Sequence, residues 1–170
     1  LRVATVLSLC LTVPAFAGDA AKGEADFKKC KACHSIIGAD VEIGDGCWIQ
    51  HHVTILGPTK IGKNNRFFAY GSIGQQSQDL KYNAEPTYLE IGDDNTFREF
   101  CTVNRATSPG EKTIVGSHNH FLAYCHIAHD CIVGNHCIFS NNGTLAGHVT
   151  VEDHVILGGL TAVHQFCRVS

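Results

Sequence analysis

His129, Gly147 and Gln165 recur at one fixed interval, and Asp130, His148 and Phe166 repeat that interval one place along. If the interval is a structural repeat, an imidazole, a carboxylate and a bare backbone amide meet on one surface. His126 lies just before them in the chain and His164 is next to Gln165. Such a group suits acyl transfer to a hydroxyl. An imidazole takes the alcohol proton as general base, while a neighbouring carboxylate fixes its tautomer and supports the imidazolium that forms. A glycine lets a backbone N–H approach a developing oxyanion, a contact worth on the order of 3 kcal/mol. No serine or cysteine nucleophile is needed, because the acceptor hydroxyl attacks directly. The remaining solenoid histidines, His51, His52, His118, His120, His136 and His154, read as solvent-facing.

What must position these groups is a hexad. From Ile37 to Val169 an apolar side chain returns every sixth place, through Ile43, Ile49, Ile55, Ile61, Phe67 and Ile73 and later Val115, Phe121, Ile127, Val133, Phe139, Leu145, Val151, Leu157 and Val163. Only Asp79, Glu85 and Pro109 interrupt it, and phase survives both breaks. A helix repeats at 3.6 and a strand at 2.0, so a strict six fits neither and marks a parallel β-helix solenoid. Three hexads make one triangular coil, which is the interval that separates His129, Gly147 and Gln165. Coils stack at about 4.8 Å. The expected fold is all-β: a left-handed β-helix of about seven coils, with two extended loops and a short N-terminal helical segment. The left hand comes from the hexapeptide class, not from first principles. Gln75 to Glu90 and Asn104 to Thr113 are the two excursions, and excursions from a rigid scaffold carry binding residues.

Nine cysteines suggest a disulfide or metal framework until they are placed on the hexad. Cys47, Cys101, Cys125, Cys131, Cys137 and Cys167 all follow the large apolar slot by four places, where Val53, Thr59, Gly71 and Val149 sit elsewhere. That is a small inward position, suited to free cysteine as a compact hydrophobe. No two of the six are three hexads apart, so no stacked bridges are expected.

The front end differs. Residues 1–17 read as an export signal, with Arg2, an apolar stretch and Ala15-Phe16-Ala17 as a small-x-small cleavage site. Residues 18–36 read as a short helix ending in Cys30-Lys31-Ala32-Cys33-His34, the CxxCH pattern that attaches haem c. Residues 14–36 resemble the start of a c2-type cytochrome c, which implies thioethers at Cys30 and Cys33 and iron ligation by His34. The helical body and distal methionine of that family have no counterpart in the chain. The third segment, 37–170, is the solenoid, read as a truncated domain.

A formal charge of −3 with no basic stripe excludes a nucleic-acid partner, and nothing approaches the roughly 20 apolar residues of a membrane span. Five blocks then carry a family resemblance: Gln78-Asp79-Leu80-Lys81-Tyr82, Glu85-Pro86-Thr87, His126 to Cys131 (HIAHDC), Leu145 to Val149 (LAGHV) and Gly158 to Phe166 (GGLTAVHQF). Over about 37–170 the chain resembles the acyl-ACP–UDP-N-acetylglucosamine O-acyltransferases, which take the first step of lipid A biosynthesis. The resemblance implies His129 as catalytic base, Asp130 as its orienting partner and the Gly147 backbone as oxyanion donor. It implies that Gln78, Asp79, Lys81, His126, His148, His164 and Gln165 hold the sugar nucleotide, and that Gly159 and Leu160 border the acyl chain. It further implies a cytoplasmic homotrimer that takes a 3-hydroxyacyl chain from acyl carrier protein without a cofactor, whereas the signal-like N-terminus argues for the periplasm.

Three rivals remain. His126, His129 and His148 with Asp130 would hold zinc in a γ-carbonic-anhydrase-like site, although the spacing differs from that family's. The CxxCH would make a c-type haem protein. A truncated or chimeric solenoid would be an inert fragment.

Overall fold

The computed structural model describes residues 36–170. The signal-like segment, the cytochrome-like helix and the Cys30, Cys33 and His34 haem set lie outside the described residues.

Those residues form a left-handed parallel β-helix whose wall consists of three sheets. The first face stacks Ile36–Ile37, Thr54–Ile55, Ser72–Gln75, Thr102–Asn104, His126–Ile127, Thr144–Leu145 and Ala162–Val163. The second runs from Val41–Ile43 to Arg168–Val169, also with seven strands, and the third from Trp48–Ile49 to Ile156–Leu157 with six. Every pairing is parallel, and where no excursion intervenes the register is three hexads, as in Ile127↔Leu145 and Leu145↔Val163. Across the excursions the register lengthens to Ile61↔Ile91 and Val103↔Ile127, so each apolar slot stays in its column.

That register makes the core a set of ladders. Phe67, Phe97 and Phe121 stack at centroid spacings of 5.0 and 4.8 Å and Phe139 meets Phe121 edge-on at 4.9 Å, all four buried. Cys101, Cys125, Cys131 and Cys137 are free and buried, as the small inward slot requires, while Cys47 is half-buried and Cys167 exposed. Cys101 and Cys125 nevertheless occupy successive coils, because the second excursion stretches three hexads to four between them. Asn65, Asn95 and Asn119 share the same slot as a fully buried amide column. Asn95 Nδ2 donates to Asn65 Oδ1 at 3.0 Å, Asn119 N–H to Asn95 Oδ1 at 2.9 Å, and Cys137 N–H to Asn119 Oδ1 at 2.7 Å. A buried polar side chain is tolerated there because it satisfies backbone groups of the turn above it.

Each corner places one residue in the left-handed region, including Tyr124, Asp130, His136, Asn142, His148 and His154 at φ between 57° and 64°. The excursions are shorter than expected. Tyr88–Glu90 and Lys112–Thr113 are strand, pairing with each other and with Thr59 and Lys60, so the loops proper are 76–87 and 105–111. Both leave the solenoid at the corner between the first and second faces, where Asp130, His148 and Phe166 also lie.

Candidate active site

The strand His126–Ile127 ends at this corner, and the chain turns through Ala128, His129 and Asp130 into Ile132–Val133. The left-handed conformation of Asp130 (φ 60°) folds its carboxylate back toward the preceding imidazole. His129 Nδ1 lies 2.8 Å from Asp130 Oδ2, with the ring and carboxylate side chains 6% and 11% exposed. Asp130 N–H donates to Thr113 Oγ1 at 2.9 Å, which pins the turn from the coil below. One coil up, Gly147 sits on the imidazole. A Cβ there would lie 2.3 Å from His129 Cε1 and 2.6 Å from Nε2, so no other residue fits without moving the ring. His148 follows, with Nε2 3.6 Å from Asp130 Oδ2 and its ring edge-on to that of His129 at 5.3 Å. Phe166 stacks on His148 at 4.8 Å.

The loops close over the corner. A cleft of about 500 Å³ is lined by Gln78, Asp79 and Lys81 from loop 76–87 and by His126, His129, Thr144, Gly147 and Gln165 from the solenoid. A second cleft of about 380 Å³ lies against it between Asp79, Lys81, Glu85, Thr107, His148 and Phe166. The Lys81 backbone N–H donates to Asp79 Oδ1 at 2.9 Å and holds that carboxyl below its usual range, helped by His129, Lys81 and His148. Asp79 is therefore an anion facing the cleft. Burial pushes His126 below the usual histidine range, with its electrostatic interaction with His129 adding to it, so His126 is neutral at neutral pH. Its Nδ1 is 2.7 Å from Thr102 Oγ1. Burial also raises the Cys131 thiol to about 11, and its Sγ–H donates to Ala146 O at 3.1 Å. A protonated inward thiol is no nucleophile.

Of the expected site residues, the geometry brings together His126, His129, Asp130, Gly147, His148 and Gln165 with Gln78, Asp79 and Lys81. His164 is exposed on the same face, its Nδ1 3.3 Å from Gln165 O. Gly159 and Leu160 are not in the cleft. Leu160 stands 81% exposed at the corner between the third and first faces, its N–H on Asn141 O. Sequence reasoning missed Ser77, Thr107 and Thr113. Thr113 falls within the second excursion, and Ser77 and Thr107, although four places after Ile73 and Val103, lie in segments read as loops where that count carries no placement. The candidate metal set narrows as well: His129, Asp130 and His148 bring ligand atoms within 4.8 Å of one another, without His126.

A left-handed β-helix whose buried histidine–carboxylate pair opens to a loop-covered cleft defines a hexapeptide-repeat solenoid with one elaborated corner. No protein-family model matches the chain. Over 137 residues it is 58% identical to the acyl-[acyl-carrier-protein]–UDP-N-acetylglucosamine O-acyltransferase of Xanthomonas euvesicatoria, which covers 80% of this chain and 52% of that protein. The Psychromonas ingrahamii protein of the same name is 57% identical over 85 residues, 49% of this chain and 32% of its own. Solved UDP-N-acetylglucosamine acyltransferases superpose closely. That from Francisella novicida gives a TM-score of 0.77 at 42% identity, covering 79% of this chain and 49% of its own. That from Moraxella catarrhalis gives 0.77 at 45%, covering 80% and 53%. The solenoid is thus a homologue of the acyl-ACP–UDP-N-acetylglucosamine O-acyltransferases. The chain spans about half the length of the curated relatives that match most of it. The cytochrome-like block gains no support from these matches.

Proposed function

We propose that residues 37–170 form an acyltransferase domain that moves a 3-hydroxyacyl chain from acyl carrier protein to the 3-hydroxyl of UDP-N-acetylglucosamine, the first step of lipid A biosynthesis. One observation carries the reading: Asp130 grips Nδ1 of His129, which leaves Nε2 as the basic atom beneath the backbone of Gly147. With the Nδ1 proton shared to a carboxylate, the tautomer is fixed and the far nitrogen accepts. Which nitrogen carries the proton follows from the carboxylate, since two lone pairs would otherwise face each other at 2.8 Å.

The steps then balance without a cofactor. The acceptor hydroxyl gives its proton to Nε2 while its oxygen bonds to the thioester carbonyl carbon. The tetrahedral oxyanion that results takes the Gly147 N–H. Collapse breaks the carbon–sulfur bond, and the departing thiolate recovers the proton from His129. Asp79, Lys81 and Gln78 hold the nucleotide sugar from the loop, with His126, His148, Gln165 and His164 from the solenoid. Gly159 and Leu160, at the far edge of the same face, border the acyl chain. A cytoplasmic homotrimer fits the same reading.

Purified chain incubated with 3-hydroxyacyl-ACP and UDP-N-acetylglucosamine should yield the O-acyl sugar nucleotide by mass spectrometry. Absence of product from a folded protein favours an inert solenoid fragment. The metal reading rests on the cluster of His129, Asp130 and His148. Stoichiometric zinc that supports activity would replace the general-base mechanism.

A further inference from the structure

Ser77 and Thr107 belong to different loops, outside the strands of the three sheets, and are both buried, at 6% and 8% exposure. Thr107 touches both members of the dyad. Its backbone N–H is shared between Asp130 Oδ1 and Oδ2, each at 3.2 Å, and its Oγ1 is 2.9 Å from His129 Nδ1. Ser77 Oγ lies 2.7 Å from Thr107 Oγ1 and accepts the Asp79 N–H at 3.1 Å. Asp79 in turn orders Lys81 through its carboxylate.

The carboxylate sets the direction of this chain. Nδ1–H is a donor toward Asp130, so the Thr107 oxygen is its second acceptor and the Thr107 O–H turns to Ser77. The line of hydrogen bonds then runs from the imidazole through two hydroxyls to the backbone of the loop that presents Asp79 and Lys81. Linked buried hydrogen bonds of this kind act together, each holding its neighbour's orientation. We propose that Thr107 and Ser77 are positioning residues that couple the seating of the sugar nucleotide on loop 76–87 to the orientation of His129.

This rests on the acyltransferase reading, so one arm of the test avoids turnover. The Nδ1–H proton of His129 is followed by NMR in the free parent, Thr107→Ser and Thr107→Val, and with UDP-N-acetylglucosamine added to the parent and to Ser77→Ala. Removing the Thr107 hydroxyl should shift or broaden that resonance in the free protein, while Thr107→Ser keeps it. Added nucleotide sugar should move it in the parent but not in Ser77→Ala. In the assay, Thr107→Val should lose about tenfold in kcat with KM for the sugar nucleotide within about twofold, and Thr107→Ser should recover most of the loss. An Nδ1–H signal indifferent to Thr107→Val overturns the proposal, as does a serine variant as impaired as the valine one, which would mean packing. A parent that neither binds nor converts the substrates removes the acyltransferase reading, and the free-protein arm still decides the hydrogen-bond assignment.

Discussion

Two corners of this solenoid are built alike and differ in everything that matters to chemistry. At one, His118, His136 and His154 stack at 4.8 and 5.0 Å with rings nearly parallel and backbone φ of 60°, 57° and 62°. At the other, Asp130, His148 and Phe166 hold φ of 60°, 60° and 62°, and the last two stack at 4.8 Å. The first corner is exposed, and the contact of His118 with Asp94 at 4.0 Å is a surface contact of little energetic weight. The second is roofed by loops 76–87 and 105–111, buries His129 and supplies Thr107, Asp79 and Lys81. The repeat therefore provides stacked imidazoles wherever histidine falls on a corner. A site arises only where insertions exclude water and add partners of fixed direction.

Breaking that contrast should be easiest at the base. His129→Ala is expected to reduce kcat by about 10³-fold, whereas His136→Ala on the bare corner leaves it within about twofold. A matched kinetic comparison checks both, and equal losses would mean the covered corner is not special. Asp130→Asn comes next, at roughly 10²-fold in kcat, because the amide keeps the shape but no longer fixes the tautomer. Its sugar-nucleotide affinity, read by calorimetry, should be nearly intact.

Gly147→Ala sharpens the geometry. Its methyl group would meet the His129 ring at 2.3 Å, so about 1–3 kcal/mol of stability should go as the ring is displaced, seen in a denaturant melt. Gly134, behind the bare corner, offers no imidazole to displace.

The smallest effect is a pH dependence. His126 is held below the ordinary histidine range by burial and then by His129. The unfolded chain takes this proton below about pH 6.5 while the folded one does not, so stability falls as pH drops through that value. The decline from this group ends once the folded imidazole protonates too. His126→Gln should flatten the slope by up to one proton between about pH 7 and 5. Asp79 has the same sign in a lower window: its lowered carboxyl stabilises the fold above about pH 4, and that contribution is lost only in stronger acid.

The hexad made the wall and the columns legible because one apolar residue per rung leaves no freedom of register. His129 under Gly147 and Asp130 beside His148 could be placed by counting alone. Counting failed where the chain leaves the wall. Thr107 and Ser77 reach the dyad through loop conformations that no period describes. Cys101 and Cys125 became neighbours four hexads apart, since a three-hexad rule ignores the intervening insertion. The slot read as small and apolar also takes Asn65, Asn95 and Asn119, whose hydrogen-bonding value depends on turns that only coordinates reveal.

That amide column has a mechanical consequence. Coils in a solenoid separate by peeling, one neighbour at a time, and apolar contacts yield gradually as they part. The asparagines instead tie the coil of Arg66–Phe67 through those of Thr96–Phe97 and His120–Phe121 to the backbone at Cys137, and each short directional bond must rupture before the next coil is loosened. Under tension applied along the axis, the middle of the prism should hold as a spine after its flanks have unravelled.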